Sequence, residues 1–223
     1  MKRGALSGNR SLNYGTVAAL IFAALLTLGP TLADTTPQTA ERFTHLLGVN
    51  LADGIDFNTL AKRFGASPVS HTETGDASNT VSRVCYRSAD GRAVVLFAAG
   101  DVDYQFVMRN ATAADSHCPV SRTITATQLN VAGIMLGMPQ NALEALLGKP
   151  VSMAGGRLTY QFQYVHTLTD DQIAALIEKA REQGYDSDKP ADMRNWNVVI
   201  YIQAAFTQDR LASLLVDRVE TKQ

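Results

Sequence analysis

Residues 133–151 read GIMLGMPQNALEALLGKPV, and residues 48–69 read GVNLADGIDFNTLAKRFGASPV. Both run Gly, an apolar pair around one residue, a turn, a short amphipathic stretch, a second Gly, then Pro-Val. A difference of three residues in length falls in the turns. In the later segment Met138-Pro139 opens a helix, because proline suits the first helical position, where an N–H has no intrahelical partner anyway. Leu143, Leu146 and Leu147 share one stripe, and Gly148 stops it. In the earlier segment Asp56 caps, Phe57, Leu60, Ala61 and Phe64 make the stripe, and Gly65 ends it. The terminating glycines lie 83 residues apart, a spacing that suits a small repeated unit.

Downstream of each segment the chain alternates with period two, the signature of half-buried strands. After the first come 80–88 (TVSRVCYRS), 93–99 (AVVLFAA), 102–109 (VDYQFVMR) and 122–129 (RTITATQL). Ala89-Asp90-Gly91-Arg92 reads as a hairpin turn, since Asp-Gly tolerates positive φ angles. The polar stretch 66–79 reads as a loop. After the second come 157–166 (RLTYQFQYVH) and 196–206 (WNVVIYIQAAF), with Gln208-Asp209 as a turn and 210–219 (RLASLLVDRV) as a strand or short helix. An insertion separates the first two of these. Thr169 and Gln172 fit a capping box, Ile173, Leu176, Ile177 and Ala180 recur at helical spacing, and Gly184 comes after them. Upstream, Thr36, Pro37, Phe43, Leu46 and Leu47 give a helix signal within 34–47. The expected fold is α+β: two tandem small units, each a helical pair packed on an antiparallel sheet. They span 34–130 and 131–223, the second with an inserted helix at 169–183.

The first 33 residues have the layout of a secretory signal. Lys2, Arg3 and Arg10 form a basic leader, Val17–Leu28 is a 12-residue apolar run, Gly29-Pro30 breaks it, and Thr31-Leu32-Ala33 offers a cleavage site. A membrane-spanning helix needs about 20 apolar residues, so membrane contact is expected only through an uncleaved signal. No Cys succeeds the run to carry a lipid. Without this segment, 20 basic and 21 acidic side chains become 17 and 21, a net charge of −4. An acidic chain without a Lys/Arg cluster lacks the footprint of nucleic-acid binding. A periplasmic or secreted location is the expectation.

Cys85 and Cys118 are the two cysteines. In an oxidising compartment an isolated pair reads as a disulfide, which closes a loop worth about 3.5–4 kcal/mol by the chain-entropy argument. A reactive or metal-binding thiol is the competing reading, because His117 precedes Cys118. One His–Cys pair offers too few ligands for a zinc site.

The second segment, with Arg157-Leu-Thr-Tyr-Gln-Phe162, resembles the helical motif and first strand of the SmpA/OmlA type of outer-membrane assembly lipoprotein. Two such units in one exported chain are similar to the architecture of β-lactamase inhibitor protein. The resemblance covers most of 48–219. The chain departs from the lipoproteins in lacking a lipidated Cys, and from both in the inserted helix. The resemblance implies a binding module rather than an enzyme.

The sequence lacks a Gly-x-Ser-x-Gly elbow, a His-Glu-x-x-His pair, a phosphate loop and a dinucleotide fingerprint. His45, His71, His117 and His166 are scattered. His71 with Glu73 and Asp76 reads as a solvated loop before it reads as a metal site. Asp101 and Asp103 flank a strand start, and Glu144 and Glu178 sit on polar helix faces. No catalytic residue, cofactor or metal is expected. Aromatic side chains on an uncovered sheet face would anchor a protein partner. The candidate surface is Tyr104, Phe106, Tyr160 and Tyr201 with Arg83 and Arg87, which share a face with Cys85. Trp196, Val198, Ile200 and Ile202 read as a core row, so Tyr201 must point the other way. The expected function is an exported, non-catalytic protein-binding module of the bacterial envelope, an assembly factor or inhibitor whose partner is an envelope or secreted protein. The alternatives are a cell-wall enzyme, which needs a pocket of converging His, Asp and Glu, and a small-ligand or lipid carrier, which needs a closed apolar cavity.

Overall fold

A computed structural model of the chain describes residues 37–73, 80–100, 102–182 and 194–222. The signal segment 1–33, Thr36, Asp76, Asp101 and Gly184 lie outside the described residues.

The helix signal at 34–47 gives only Pro37–Glu41 (α1) and a 3-10 turn at Arg42–Thr44. The chain then extends as His45–Leu46 (β1) and reverses onto Val49–Asn50 (β2). The reversal runs through Leu47 (φ 53°) and Gly48 (φ 72°), the left-handed pair that tight hairpins use. Helix α2, Phe57–Phe64, comes next. The Asp56 side chain accepts from the Asn58 N–H, and Gly65 at φ 100° closes the other end.

The same series recurs later. Asn130–Val131 (β7) pairs with Ile134–Met135 (β8) through Ala132 (φ 50°) and Gly133 (φ 95°). Helix α3, Gln140–Leu147, begins after Pro139 and ends at Gly148 (φ 81°). The strands between are β3 (Ser70–Glu73), β4 (Thr80–Arg87), β5 (Ala93–Ala99) and β6 (Asp103–Asn110). Those after are β9 (Ser152–Ala154), β10 (Arg157–Thr167), β11 (Asn195–Thr207) and β12 (Arg210–Lys222). Residues 210–219 are therefore strand, not helix.

Two strand assignments change. Residues 122–129 form no strand. Thr125 and Gln128 cap one another around a 3-10 turn at Ala126–Gln128, and the fully buried Ile124 and Leu129 pin that turn to the core. Residues 70–73, expected as loop, are edge strand β3. An edge strand with polar, exposed side chains has no apolar face to produce a period.

The strands form one eight-stranded antiparallel sheet in the order β3-β4-β5-β6-β12-β11-β10-β9. Two four-strand meanders meet where β6 pairs with β12, from Asp103↔Val219 to Arg109↔Ser213. The expected separate meander sheets are replaced, among the described residues, by one sheet that both meanders share. Both meeting strands are rich in Val, Leu, Phe and Met, and a bare apolar edge is a liability that pairing removes. The core is likewise continuous. Phe97, Phe106, Met108, Val216, Leu214, Ile202, Ile200, Tyr160 and Phe162 line one face of the sheet. The layer against them contributes Phe43, Leu51, Leu60, Phe64, Leu129 and Leu143. Phe43 stacks on Phe162 at 5.6 Å, and Phe64 packs against Tyr86 and Phe97. Each such side chain stabilises the fold by about 1.5–3 kcal/mol through removal from water.

Helix α4, Asp170–Glu182, is the insertion. The Thr169 N–H donates to Gln172 Oε1, and the Gln172 N–H donates back to Thr169 Oγ1. Ile173 is buried while Leu176 remains exposed, so the apolar stripe is only partly covered.

Candidate functional site

Register sorts the candidate surface residues by face. Phe106 is fully buried and Tyr160 almost so, both in the core, which removes them from any exposed surface. The strands alternate as expected, but the buried face is the one that carries the larger rings. Tyr104 lies on that same face, half-buried, with its ring against Gly54. A Cβ on Gly54, whose φ is 78°, would sit 3.5 Å from that ring. Tyr201 points to the opposite face beside Gln161 on β10 and Asp217 on β12. Arg83 and Arg87 lie on this opposite face with Cys85, half-buried.

The uncovered face carries two parallel cross-strand rows. One runs Leu96, Val107, Leu215, Gln203; the next runs Ala98, Gln105, Asp217, Tyr201, Gln161. Leu96, Val107, Leu215 and Tyr201 are half-buried and Gln203 is exposed. This is the mixed apolar and hydrogen-bonding character of protein-binding surfaces. Asp217, Gln105, Val107 and Leu215 are not among the residues that the sequence singles out. The signal for them is the Asp217-Arg218 pair inside an apolar run, unreadable while 210–219 stands open between strand and helix.

Asp217 is the electrostatic centre of the face. Burial and the neighbouring Asp103 raise its carboxyl pKa to about 6, against a hydrogen bond from Gln105 that lowers it. Its Oδ1 is buried and has no hydrogen-bond partner among the described residues. The Gln105 amide also donates to Asp103 Oδ2 at 2.9 Å.

One end of this face is capped by residues 111–121. Cys85 of β4 is disulfide-bonded to Cys118, with Cα atoms 5.3 Å apart. Arg87 Nε donates to the Cys118 carbonyl at 3.1 Å, and the Arg87 N–H donates to the Pro119 carbonyl at 2.8 Å. Arg109 reaches from β6 to Asp115 in a forked ion pair, and the Thr112 N–H and hydroxyl donate to the same carboxylate. These partners hold the Asp115 carboxyl far below the ordinary carboxylate range, the Arg109 hydrogen bond contributing most. His117 places Nε2 3.5 Å from Cys118 Sγ, and its Nδ1 bonds the Ala114 carbonyl at 2.9 Å. A cavity of about 250 Å3 beside Cys85 is lined by Ser67, Ser70, Arg83, Leu96 and His117.

The other sequence candidates stay apart. His71 Nδ1 bonds Ser82 Oγ, Glu144 accepts from Gln140, and Glu178 faces Arg181 in an exposed pair. His166 lies in an open cleft of about 360 Å3 with Leu168, Leu176, Trp196 and Glu220, between α4 and the strand ends. Among the described residues no helix is long and apolar enough to cross a membrane. Compared with family profiles, curated proteins and solved structures, the chain matches none.

Proposed function

We propose that the chain is an exported, non-catalytic binding module of two tandem units that docks another envelope or secreted protein on the uncovered face of its sheet. One observation carries the reading: the rows around Leu215 and Tyr201 leave half-exposed apolar and aromatic side chains on a face that, beyond residues 111–121, no described element covers. The recurrence of hairpin, Gly-terminated helix and meander supports the tandem reading and, with it, the kinship to assembly lipoproteins of the SmpA/OmlA type and to β-lactamase inhibitor protein. The basic and apolar order of residues 1–33 supports export.

The reading predicts where binding energy is concentrated. Interface hot spots favour tyrosine set in a partly desolvated surround, and Tyr201 beside Asp217 and Leu215 meets that description. Site-specific crosslinking from position 203, with capture from an envelope fraction, tests it. The native chain is expected to recover a defined protein, and Tyr201→Ala with Leu215→Ala to lose it while keeping the native circular-dichroism spectrum. Equal recovery by the variant, or no envelope protein recovered by the native chain, overturns the proposal.

A further inference from the structure

The adjacent His117 and Cys118 supply two metal-ligating side chains, and the fold delivers a third. Cys85, from the middle of β4, stands so that its Sγ, the Cys118 Sγ and a ring nitrogen of His117 all lie within 4.8 Å of one another. Zinc bonds of about 2.3 Å to sulfur and 2.0–2.1 Å to nitrogen place tetrahedral ligand atoms roughly 3.3–3.8 Å apart. The His117 Nε2 to Cys118 Sγ distance, 3.5 Å, already lies in that range.

The imidazole is also held in the right tautomer. In the neutral ring, the bond to the Ala114 carbonyl requires the proton on Nδ1. Nε2 then turns a lone pair toward the sulfur. A backbone carbonyl on the far nitrogen is the usual support of a metal-bound histidine. A fourth position would face the cavity lined by Ser67, Ser70 and Arg83. Two thiolates and a divalent ion are together neutral, so Arg83 would meet no net positive charge there. Three protein ligands with an open fourth position is an accepted zinc geometry.

We propose that Cys85, His117 and Cys118 form a redox-gated site for a thiolate-preferring divalent cation such as zinc, shut by the disulfide and opened by its reduction. A dithiol reductant gives up two hydrogens and leaves as its own disulfide, and the chain is left with two thiols. The cation then displaces both thiol protons to solvent, and the sulfurs move apart around it. Bound metal would restore the link between β4 and the 111–121 segment that reduction removes.

The test uses the full chain, reduced with a dithiol, freed of reductant under anaerobic conditions and titrated with Co2+ and then Zn2+. The expected result is thiolate-to-cobalt charge-transfer absorption at one ion per chain, displaced by zinc. The oxidised chain should show none. His117→Ala should weaken cobalt binding at least tenfold, in line with what losing metal-site partners costs. Circular dichroism is recorded in parallel. If reduction unfolds the chain, zinc must restore the native spectrum; failure to do so overturns the proposal. So does absence of the charge-transfer band from the reduced chain, or a His117→Ala affinity equal to the native one.

Discussion

Arg218 of β12, with its side chain 1% exposed, is held by Glu41 at the end of α1, 177 residues earlier in the chain. Nη2 and Nε donate to the same Glu41 oxygen at 3.0 and 3.3 Å, and Nη1 lies 2.5 Å from Glu220 Oε1. The pair fastens the first helix to the middle of the sheet.

Losing one partner of a buried ion pair strands the other charge, at about 3–5 kcal/mol. Arg218→Ala leaves carboxylates that are 26% and 27% exposed, so it is expected to lower stability by about 1–3 kcal/mol, read from the urea midpoint at constant slope, and Glu41→Gln by less, because Glu220 remains. A stability within about 0.5 kcal/mol of native for Arg218→Ala, the range of ordinary surface changes, would show the contact is inert.

Tyr160 carries a buried hydroxyl with no partner among the described residues, and burial with Glu144 nearby pushes its pKa up to about 12. Removing an unsatisfied polar atom while keeping the ring is neutral or favourable. Tyr160→Phe should therefore leave stability equal or raise it by about 1 kcal/mol, read by thermal melting. A clear loss would mean the hydroxyl has a bond.

Asp217 predicts a pH dependence of unusual sign. Its folded pKa of about 6 exceeds the unfolded value, so the folded chain binds more protons than the unfolded chain between about pH 4 and 6. Stability from this group falls as pH rises through that window. Asp217→Asn should be more stable than native at pH 7 by about 2 kcal/mol, the shift being discounted for the solvent that reaches this half-buried group, and lose that advantage near pH 4. Chemical denaturation at both pH values measures it. Asp115 acts oppositely: its carboxyl is held down by Arg109, so its contribution is full above the unfolded pKa and goes only in strong acid.

Reduction of Cys85–Cys118 in the absence of metal should cost about 3.5–4 kcal/mol for a loop of 33 residues. That corresponds to roughly 10 °C in Tm. Calorimetry with and without a dithiol checks it. An unchanged melt would mean that the Arg109–Asp115 pair and the Arg87 bonds already hold the segment.

Much of the fold can be read along the chain because its signals are local. Asp56, Gly65, Pro139 and Gly148 punctuate two helices, and the Thr169–Gln172 box marks a third. The alternation of 157–166 assigns every side chain of β10 to a face. The joining of the meanders is different in kind. The pairing of Phe106 with Val216 depends on two residues 110 positions apart, and neither local period nor turn chemistry encodes it. The candidate face suffers likewise. Tyr160 and Tyr201 both belong to alternating strands, and which tyrosine is inside depends on where the helices lie. Cys85, His117 and Cys118 come together only through the path of 111–121 across the sheet.

The place of β12 in the sheet has a consequence for how the chain is made. The last strand in chain order lies in the middle, between β6 and β11. Until residues 210–222 take their place, β6 has a bare edge and Glu41 has no arginine. The two meanders cannot be joined until β12 is available. Domains normally fold as they emerge; here a contiguous first half cannot close its own sheet edge, and the shared core forms only when a strand more than a hundred residues downstream of β6 inserts beside it.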